Sequence, residues 1–545
     1  MTASTIARTA RQADRRVGRT SALVAGLLAG VALSAPALAQ DDGLTIGMPS
    51  EITSIDPHFH NLSTNLEVSN MIFEPLVGQD ANQQLVPALA TKWTAVDDTT
   101  WELSLREGVT FHDGSAFTAD DVVCSFERAP DVPNSPSSFG TYIEGKTVEK
   151  VDDLTVRITT AEPYPLVPND ISQIMIVSDE SGCGADTEAF NSGEAAVGTG
   201  PYSFESYVPG DRVELVRYED YWGEAPEFAS VTLRPITSDP ARVAALLSGD
   251  VDMIAGVPTT DIATLEGNDD ITLSQGTSNR VIYLHMDQFR DDSPFVSGPD
   301  GGDIENPLLN PKVREALSKA IHREAIRDRV MEGQSIAAGQ LLPEGFFGVS
   351  PDLAPLEYDP EGAKALLAEA GYPDGFTLTI HGPNDRYLND AKILEAVAQM
   401  WSRIGVDTSI ETLPRSVFFS RASSGGEDGQ PEFSLILAGW GAGSGEASSP
   451  LRSLIHTFDS ERGFGASNRG RYSNAEIDGL IERALATVDD AERQDLLADA
   501  TKRAIEDVAI IPVHFQVNTW AMRDGLEYEP RTDEFTLGQN VKRSQ

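Results

Sequence analysis

The stretch YDPEGAKALLAEAGYPDGFTLTIHGP, residues 358–383, contains a complete helix-to-strand unit. Asp359 is a typical helix N-cap, Pro360 suits the first helical position, and Gly371 is typical of the residue just beyond a helix. Apolar residues recur between them at the spacing of one helix face, and the strand-like run FTLTIH follows. The stretch predicts a helix packed on a sheet.

The same order of cap, apolar helix face, glycine and short strand recurs along the chain. It is found in residues 238–257, 310–333 and 389–413. Helices that alternate with short apolar strands are typical of α/β layers. Residues 81–196 differ, because TWELSLR and LTVRITT alternate apolar and polar residues, and this region is predicted to be a mixed α+β insertion.

Charge restricts the classes of partner. The chain has 545 residues, a formal net charge of −44 and 40% hydrophobic residues. So acidic a surface repels nucleic acid and anionic membranes, which we therefore exclude as partners. The apolar content is enough for two or three domains with cores of their own.

The N-terminus has the pattern of a secretory signal peptide. Five arginines precede the apolar run SALVAGLLAGVALSA, and APALAQ predicts cleavage between Ala39 and Gln40. Residues 1–39 are thus expected to be removed. The cleavage point has no cysteine, so we expect no lipid anchor. No later segment approaches the roughly 20 apolar residues of a membrane-spanning helix.

The chain has two cysteines, Cys124 and Cys183. In an oxidising compartment they can form a disulfide. The alternative is a buried thiol at Cys124, which lies in the helical pattern DDVVCSFERA.

Motifs that suggest chemistry have simpler explanations. His112 and Asp113 are neighbours in a turn before the cap residues Thr118 and Asp121, and His58 and His60 have no cysteine nearby in sequence. No nucleophile elbow, phosphate loop or zinc-binding helix motif occurs. We expect neither catalysis nor a cofactor.

Several stretches, in order, resemble the family 5 extracellular solute-binding proteins, the peptide-type receptors of bacterial ABC importers. They are SIDPHFHNLSTNLEVSNMIFEPLV, WELSLREGVTFHDGSAFTADDVVCSFER, GTGPYSFESYVPGDRVELVRYEDYWG, LLSGDVDMI, VREALSKAIHREAI and YDPEGAKALLAEAGY. The resemblance extends over nearly the whole chain after residue 39.

The resemblance implies a bilobed, type II-like periplasmic-binding-protein fold of the α/β class, with hinged lobes and an extra α+β domain inserted in the first lobe. Lobe one is then expected at 40–80, 197–276 and 512–545, the inserted domain at 81–196, and lobe two at 277–511.

The resemblance also implies a function. Such receptors are monomers that capture a small solute, here an oligopeptide or peptide-like ligand, and deliver it to the membrane permease subunits of an ABC importer. A chelated metal such as nickel, a sugar or an opine remains an alternative ligand. A secreted enzyme or a folding helper on the same fold remains an alternative function.

The resemblance places a ligand-contacting loop at AGWGAGSGEASSPLRSL, residues 438–454. Trp440 is expected to pack on the ligand, and Gly441 to allow close approach of the backbone. Many oligopeptide receptors have an aspartate for the ligand ammonium at the position of Gly443. Glu446 is therefore the candidate for that charge; its alternative is a solvent-facing carboxylate before the helix opened by Pro450.

Further ligand-binding candidates come from positions that match the family or follow strand ends. The two arginines among them suit a ligand carboxylate, although surface positions are their alternative. The candidates are Asn65, Tyr283, Asn384, Arg386, Arg415 and Phe515.

Overall fold

The computed structural model describes residues 42–544 and has alternating helices and strands. Short 3₁₀ or π segments lie at Pro307–Leu309, Glu427–Gly429, Leu451–Ile455 and Gly538–Asn540. The helices are α1 (Ser63–Ile72), α2 (Ala119–Arg128), α3 (Gly140–Ile143), α4 (Val167–Ile171), α5 (Thr187–Ser192), α6 (Asp239–Ser248), α7 (Thr259–Glu266), α8 (Pro311–Lys319), α9 (Arg323–Arg329), α10 (Pro360–Glu369), α11 (Asp390–Ser402), α12 (Arg415–Ser424), α13 (Ser448–Pro450), α14 (Ala475–Ala486) and α15 (Asp490–Glu506).

The strands form one large sheet and three smaller ones. They are β1 (Gly43–Met48), β2 (Val77–Gln79), β3 (Leu85–Pro87), β4 (Ala90–Asp97), β5 (Thr100–Leu105), β6 (Lys146–Asp152), β7 (Thr155–Thr160), β8 (Tyr202–Val208), β9 (Arg212–Arg217), β10 (Ser230–Pro235), β11 (Met253–Ile254), β12 (Ile271–Met286), β13 (Val296–Ser297), β14 (Ser335–Ala337), β15 (Phe376–Pro383), β16 (Val406–Leu413), β17 (Leu435–Trp440), β18 (Ile511–Arg523), β19 (Leu526–Tyr528) and β20 (Val541–Arg543).

The unit at residues 358–383 forms as predicted. The Asp359 carboxylate accepts a hydrogen bond from the Gly362 amide at 2.8 Å, which caps α10. Gly371 has φ of 97°, a left-handed conformation that glycine adopts without steric cost. Strand β15 follows, and Leu367 of α10 and Leu378 of β15 share one buried core.

Two long antiparallel strands, β12 and β18, join the halves of the large sheet. The sheet order is β13-β15-β17-β12-β18-β11-β1-β10-β9-β8, with β14 on β18 and β16 on β15. The β12–β18 register is interrupted between Thr277 and Val281. The first half of β12 pairs with the end of β18 that also pairs with β11. The second half of β12 pairs with β17 as well.

A separate antiparallel sheet of order β4-β5-β7-β6 lies within the region predicted to be a mixed insertion. Helix α2 has the predicted capping box, in which Thr118 and Asp121 exchange hydrogen bonds. Phe111, Phe126 and Val156 are buried in the core of this sheet. The different strand pattern of residues 81–196 thus has a counterpart in a sheet of its own.

The structure joins Cys124 and Cys183 in a disulfide, with 5.9 Å between their Cα atoms. The predicted signal peptide, residues 1–39, lies outside the described residues. From residue 42 to residue 544, the structure has no helix with the length and apolar character needed to cross a membrane.

Candidate functional site

A cleft with a volume of about 500 Å³ lies beside β12 and the loop that follows β17. This size is typical of small-molecule sites. One wall comes from α1, the β2–β3 hairpin and residues 164–175. The other wall comes from the loop after β17, and the end of the cleft from β12 and residues 531–535.

The glycine-rich loop after β17 lies directly on this cleft. Trp440 and Gly441 line it, and their contact with a ligand stays a prediction. The Trp440 indole N–H donates to Ser449 Oγ at 3.1 Å, which fixes the plane of the ring. A Cβ on Gly441 would lie 3.1 Å from Asn279 Oδ1, so the loop approaches β12 at a distance that suits glycine.

The interruption in β12 brings two side chains into the cleft that the sequence did not indicate. Asn279 donates to the Ala442 carbonyl at 3.0 Å, and Arg280 forms an ion pair with Glu534 at 2.8 Å. Burial alone would raise the pKa of Glu534, but Arg280 outweighs it and the pKa is lowered. Glu534 is thus an anion, and the charge of Arg280 is largely neutralised.

Two further cations near the cleft are neutralised in the same way. Lys146 lies 2.6 Å from Asp170, and Arg531 Nε lies 3.0 Å from Asp533 Oδ1. Burial raises the pKa of Asp170, although the charge of Lys146 opposes this effect. These pairs place little net charge on the cleft wall.

Arg452 is the exception among the cations of the cleft. Its guanidinium lines the cleft and lies 5.7 Å from the Phe464 ring centroid. In residues 42–544 it makes no direct ion pair with a carboxylate, although its charge acts on Asp170 and opposes the rise in the pKa of that carboxyl. Arg452 follows Ser449, the partner of Trp440, by three residues, so the cleft presents an aromatic ring and an unpaired guanidinium from one segment. Arginine in this setting suits a planar carboxylate.

Glu446 is not on the cleft wall. Its Oε2 lies 2.6 Å from Arg493 Nη1 of α15, and both side chains are buried. Burial raises the pKa of Glu446, and Arg493 opposes the shift. This position corrects both sequence-based alternatives, since the carboxylate faces neither the cleft nor solvent.

Three other candidates are buried and do not line the cleft. Tyr283 and Phe515 belong to a hydrophobic core on the β12–β18 ladder. The Asn65 amide donates to Thr53 Oγ1 at 3.1 Å and to the Ser54 carbonyl at 3.2 Å. Core packing or hydrogen bonds within the folded chain therefore hold each of these side chains away from the cleft wall.

Asn384, Arg386 and Arg415 are exposed around the end of β15 and do not line the cleft. The Arg386 guanidinium lies 5.1 Å from the Tyr387 ring centroid, and the Arg415 amide donates to Asp385 at 2.7 Å. The structure does not bring these three side chains together with Trp440. A ligand-binding role for each of these candidates stays a prediction.

Metal ligands are not gathered in the part of the chain that the structure describes: between residues 42 and 544, no group of three His, Cys, Asp or Glu side chains is arranged to hold a metal ion. His58 instead lies in a buried network. Its Nδ1 contacts Arg128, its Nε2 contacts the Met175 carbonyl, and its backbone amide donates to Asp56. His112 contacts the Gly200 carbonyl at 2.9 Å.

A bilobed α/β chain with a ligand-sized cleft beside its connecting strands defines the class of solute-binding receptors. The family described as bacterial extracellular solute-binding proteins, family 5 (middle), matches residues 84–461. The chain belongs to this family. It is a periplasmic receptor of an ABC importer, and not an enzyme.

Individual relatives agree with this assignment. The chain is 30% identical to the glutathione-binding protein GsiB of Pectobacterium atrosepticum over 482 residues, covering 88% of this chain and 89% of the relative. The structure of DppA from Helicobacter pylori with the peptide STSA has a TM-score of 0.73 and 23% identity, covering 92% of this chain and 98% of that chain. NikA from Staphylococcus aureus with Ni(L-His)₂ has a TM-score of 0.70 and 20% identity, covering 92% and 100%. The two structures show the fold alone.

Proposed function

We propose that this receptor captures a peptide-like ligand that carries a free carboxylate, with glutathione as the leading candidate. The observation that carries the proposal is the Arg452 guanidinium, which lines the cleft and makes no direct ion pair with a carboxylate of residues 42–544, although its charge acts on Asp170. A ligand carboxylate would complete this pair. The charge-assisted hydrogen bonds would be worth about 2 kcal/mol.

The remaining cleft wall suits a peptide backbone. Side-chain amides and hydroxyls line it beside Trp440, and they include Asn61, Ser63, Asn70, Gln79, Ser172 and Gln173. Such groups donate to and accept from amide groups without favouring one side chain. The 30% identity to a glutathione-binding protein supports the same ligand class.

The division of the chain into lobes remains a proposal that the topology supports. The β4-β5-β7-β6 sheet falls within the expected insertion at 81–196. The β12 register break at Thr277–Val281 coincides with the expected passage into lobe two at residue 277. Residues 40–80, 197–276 and 512–545 would then move as one lobe against residues 277–511.

Native mass spectrometry of protein purified from its own periplasm tests the ligand class. The expected result is an adduct that denaturation releases as glutathione or another peptide-like acid. A titration panel of glutathione, a neutral capped tripeptide and Ni(L-His)₂ follows. Binding of the nickel complex or the capped peptide alone would overturn the proposal.

A further inference from the structure

The loop after β17 is attached to the opposite wall of the cleft by side-chain amides. Three successive carbonyls, those of Ala442, Gly443 and Ser444, accept these hydrogen bonds. The donors are Gln83 (3.1 Å) and Asn279 (3.0 Å) to Ala442; Gln79 (3.1 Å), Gln83 (3.3 Å) and Gln173 (3.4 Å) to Gly443; and Asn169 (2.8 Å) to Ser444. Backbone carbonyls of this loop thus meet amide donors of the opposite wall and, from Asn279, of the end of the cleft formed by β12.

Gln83 is the centre of this arrangement. Its side chain is 3% exposed, and its Oε1 accepts from Asn279 Nδ2 at 2.6 Å and from Thr532 Oγ1 at 3.3 Å. One amide therefore links the β2–β3 hairpin, the β12 interruption, the C-terminal segment and the loop after β17. The backbone of Gln83 has φ of 57°, a left-handed conformation that is uncommon for glutamine. The surrounding contacts offset that strain.

The loop is shaped for this close contact. Gly445 has φ of 72°, and a Cβ at this position would lie 2.8 Å from the Gln83 carbonyl oxygen. A side chain there would push the two walls apart. Glycine at 445 and glutamine at 83 are thus two parts of one contact.

We propose that Gln83 is the closure latch of this receptor, the residue that holds the loop after β17 against the opposite wall and so sets the balance between open and closed lobes. Opening would separate Gln83 from Ala442 and Gly443, and water would replace their hydrogen bonds. Each such bond is weak in net terms, so the latch shifts the balance without locking the cleft. The proposal rests on the capture function proposed above, but not on the identity of the ligand.

Gln83→Asn is the direct test. Asparagine tolerates the left-handed backbone but is one methylene shorter, so it keeps the turn and loses the reach. Small-angle X-ray scattering of dialysed, ligand-free protein should show a larger radius of gyration for this variant than for the wild type. Glutathione, used as the probe, should dissociate roughly tenfold faster in stopped-flow experiments, because the lost hydrogen bonds no longer favour the closed cleft.

Gln84→Asn is the matched control, because Gln84 is the exposed neighbour in the same turn. It should leave both measurements unchanged. Gly445→Ala, which wedges the same contact from the other side, should reproduce the larger radius of gyration. Circular dichroism melting checks that each variant is folded.

The latch proposal is overturned if folded Gln83→Asn keeps the wild-type radius of gyration in the ligand-free state, whatever the result for Gly445→Ala. That readout does not use a ligand. Failure of the wild type to bind glutathione would therefore count against the proposed ligand. It would not decide the latch proposal, which the scattering result tests.

Discussion

Nη1 of Arg493 lies 2.6 Å from Oε2 of Glu446, and both side chains are buried beneath the glycine-rich loop. The pair ties the loop to α15 and fixes the part of the loop that follows Gly445. We expect Glu446→Gln to lower the free energy of unfolding by about 1–3 kcal/mol, because it removes the buried partner of Arg493 and leaves only the exposed Asp490, 3.1 Å from Nη2, to pair with it. Urea unfolding measures this.

Glu395→Gln, an exposed position on α11, is the control for Glu446→Gln and should change stability little. Calorimetric titration of the folded Glu446→Gln variant separates the two roles. If Glu446→Gln has the stability of the wild type but a much lower ligand affinity, Glu446 binds the ligand ammonium.

Trp440 should contribute to affinity through its ring. We expect Trp440→Ala to weaken ligand binding roughly tenfold or more, since it removes a large apolar contact from the cleft wall. Trp440→Phe should retain most of the affinity. Equal dissociation constants for the wild type and Trp440→Ala, measured by calorimetry, would exclude a contact between this ring and the ligand.

The disulfide should stabilise the folded chain. Cys124 and Cys183 are 59 residues apart, and the double variant Cys124→Ala/Cys183→Ala should lose about 2–4 kcal/mol of unfolding free energy. Urea unfolding of both proteins measures the difference. Thiol titration of denatured, unreduced wild type should find no free thiol; two reactive thiols would contradict the pairing.

Glu74 should make stability depend on pH. Burial raises its pKa to about 7, against hydrogen bonds from Trp222, Tyr221 and Thr199 that favour the anion. A carboxyl with a raised folded pKa gives a stabilising contribution that is complete below its unfolded value of 4.5 and is lost as pH rises through about 7.

The measurement is the unfolding free energy of the wild type and of Glu74→Gln between pH 4.5 and 8. The stability of the wild type relative to the variant should fall by about 3 kcal/mol as pH rises across this range. Buried histidines titrate in both proteins and cancel in the difference. A constant difference would mean that Glu74 has an ordinary pKa.

The sequence predicted much of the fold because its signals are local. The cap at Asp359, the capping box at Thr118 and the glycine at 371 are properties of a few adjacent residues, and each forms as expected. The change in strand pattern over residues 81–196 predicted a mixed α+β region, and the β4-β5-β7-β6 sheet lies within it.

The site was less predictable because it depends on contacts distant in sequence. The loop sequence placed Trp440 and Gly441 among the ligand-binding candidates, and they line the cleft; the burial of Glu446 could not be foreseen, because Arg493 lies on a helix that the local sequence does not connect to it. Arg280 and Arg452 both look like ordinary surface arginines in sequence. Only the ion pair of Arg280 with Glu534, and the lack of such a pair for Arg452 within residues 42–544, distinguish them.

The central claim is that Arg452 binds a ligand carboxylate, and calorimetric titration of reduced glutathione into the wild type and Arg452→Gln tests it most directly. Arg483→Gln, an exposed arginine on α14, is the control. We predict binding to the wild type and the control, and a dissociation constant roughly 10- to 100-fold higher for Arg452→Gln, from the loss of a charge-assisted pair. Equal affinity of the wild type and Arg452→Gln for glutathione, or for whichever acid co-purifies with the protein, would contradict the account.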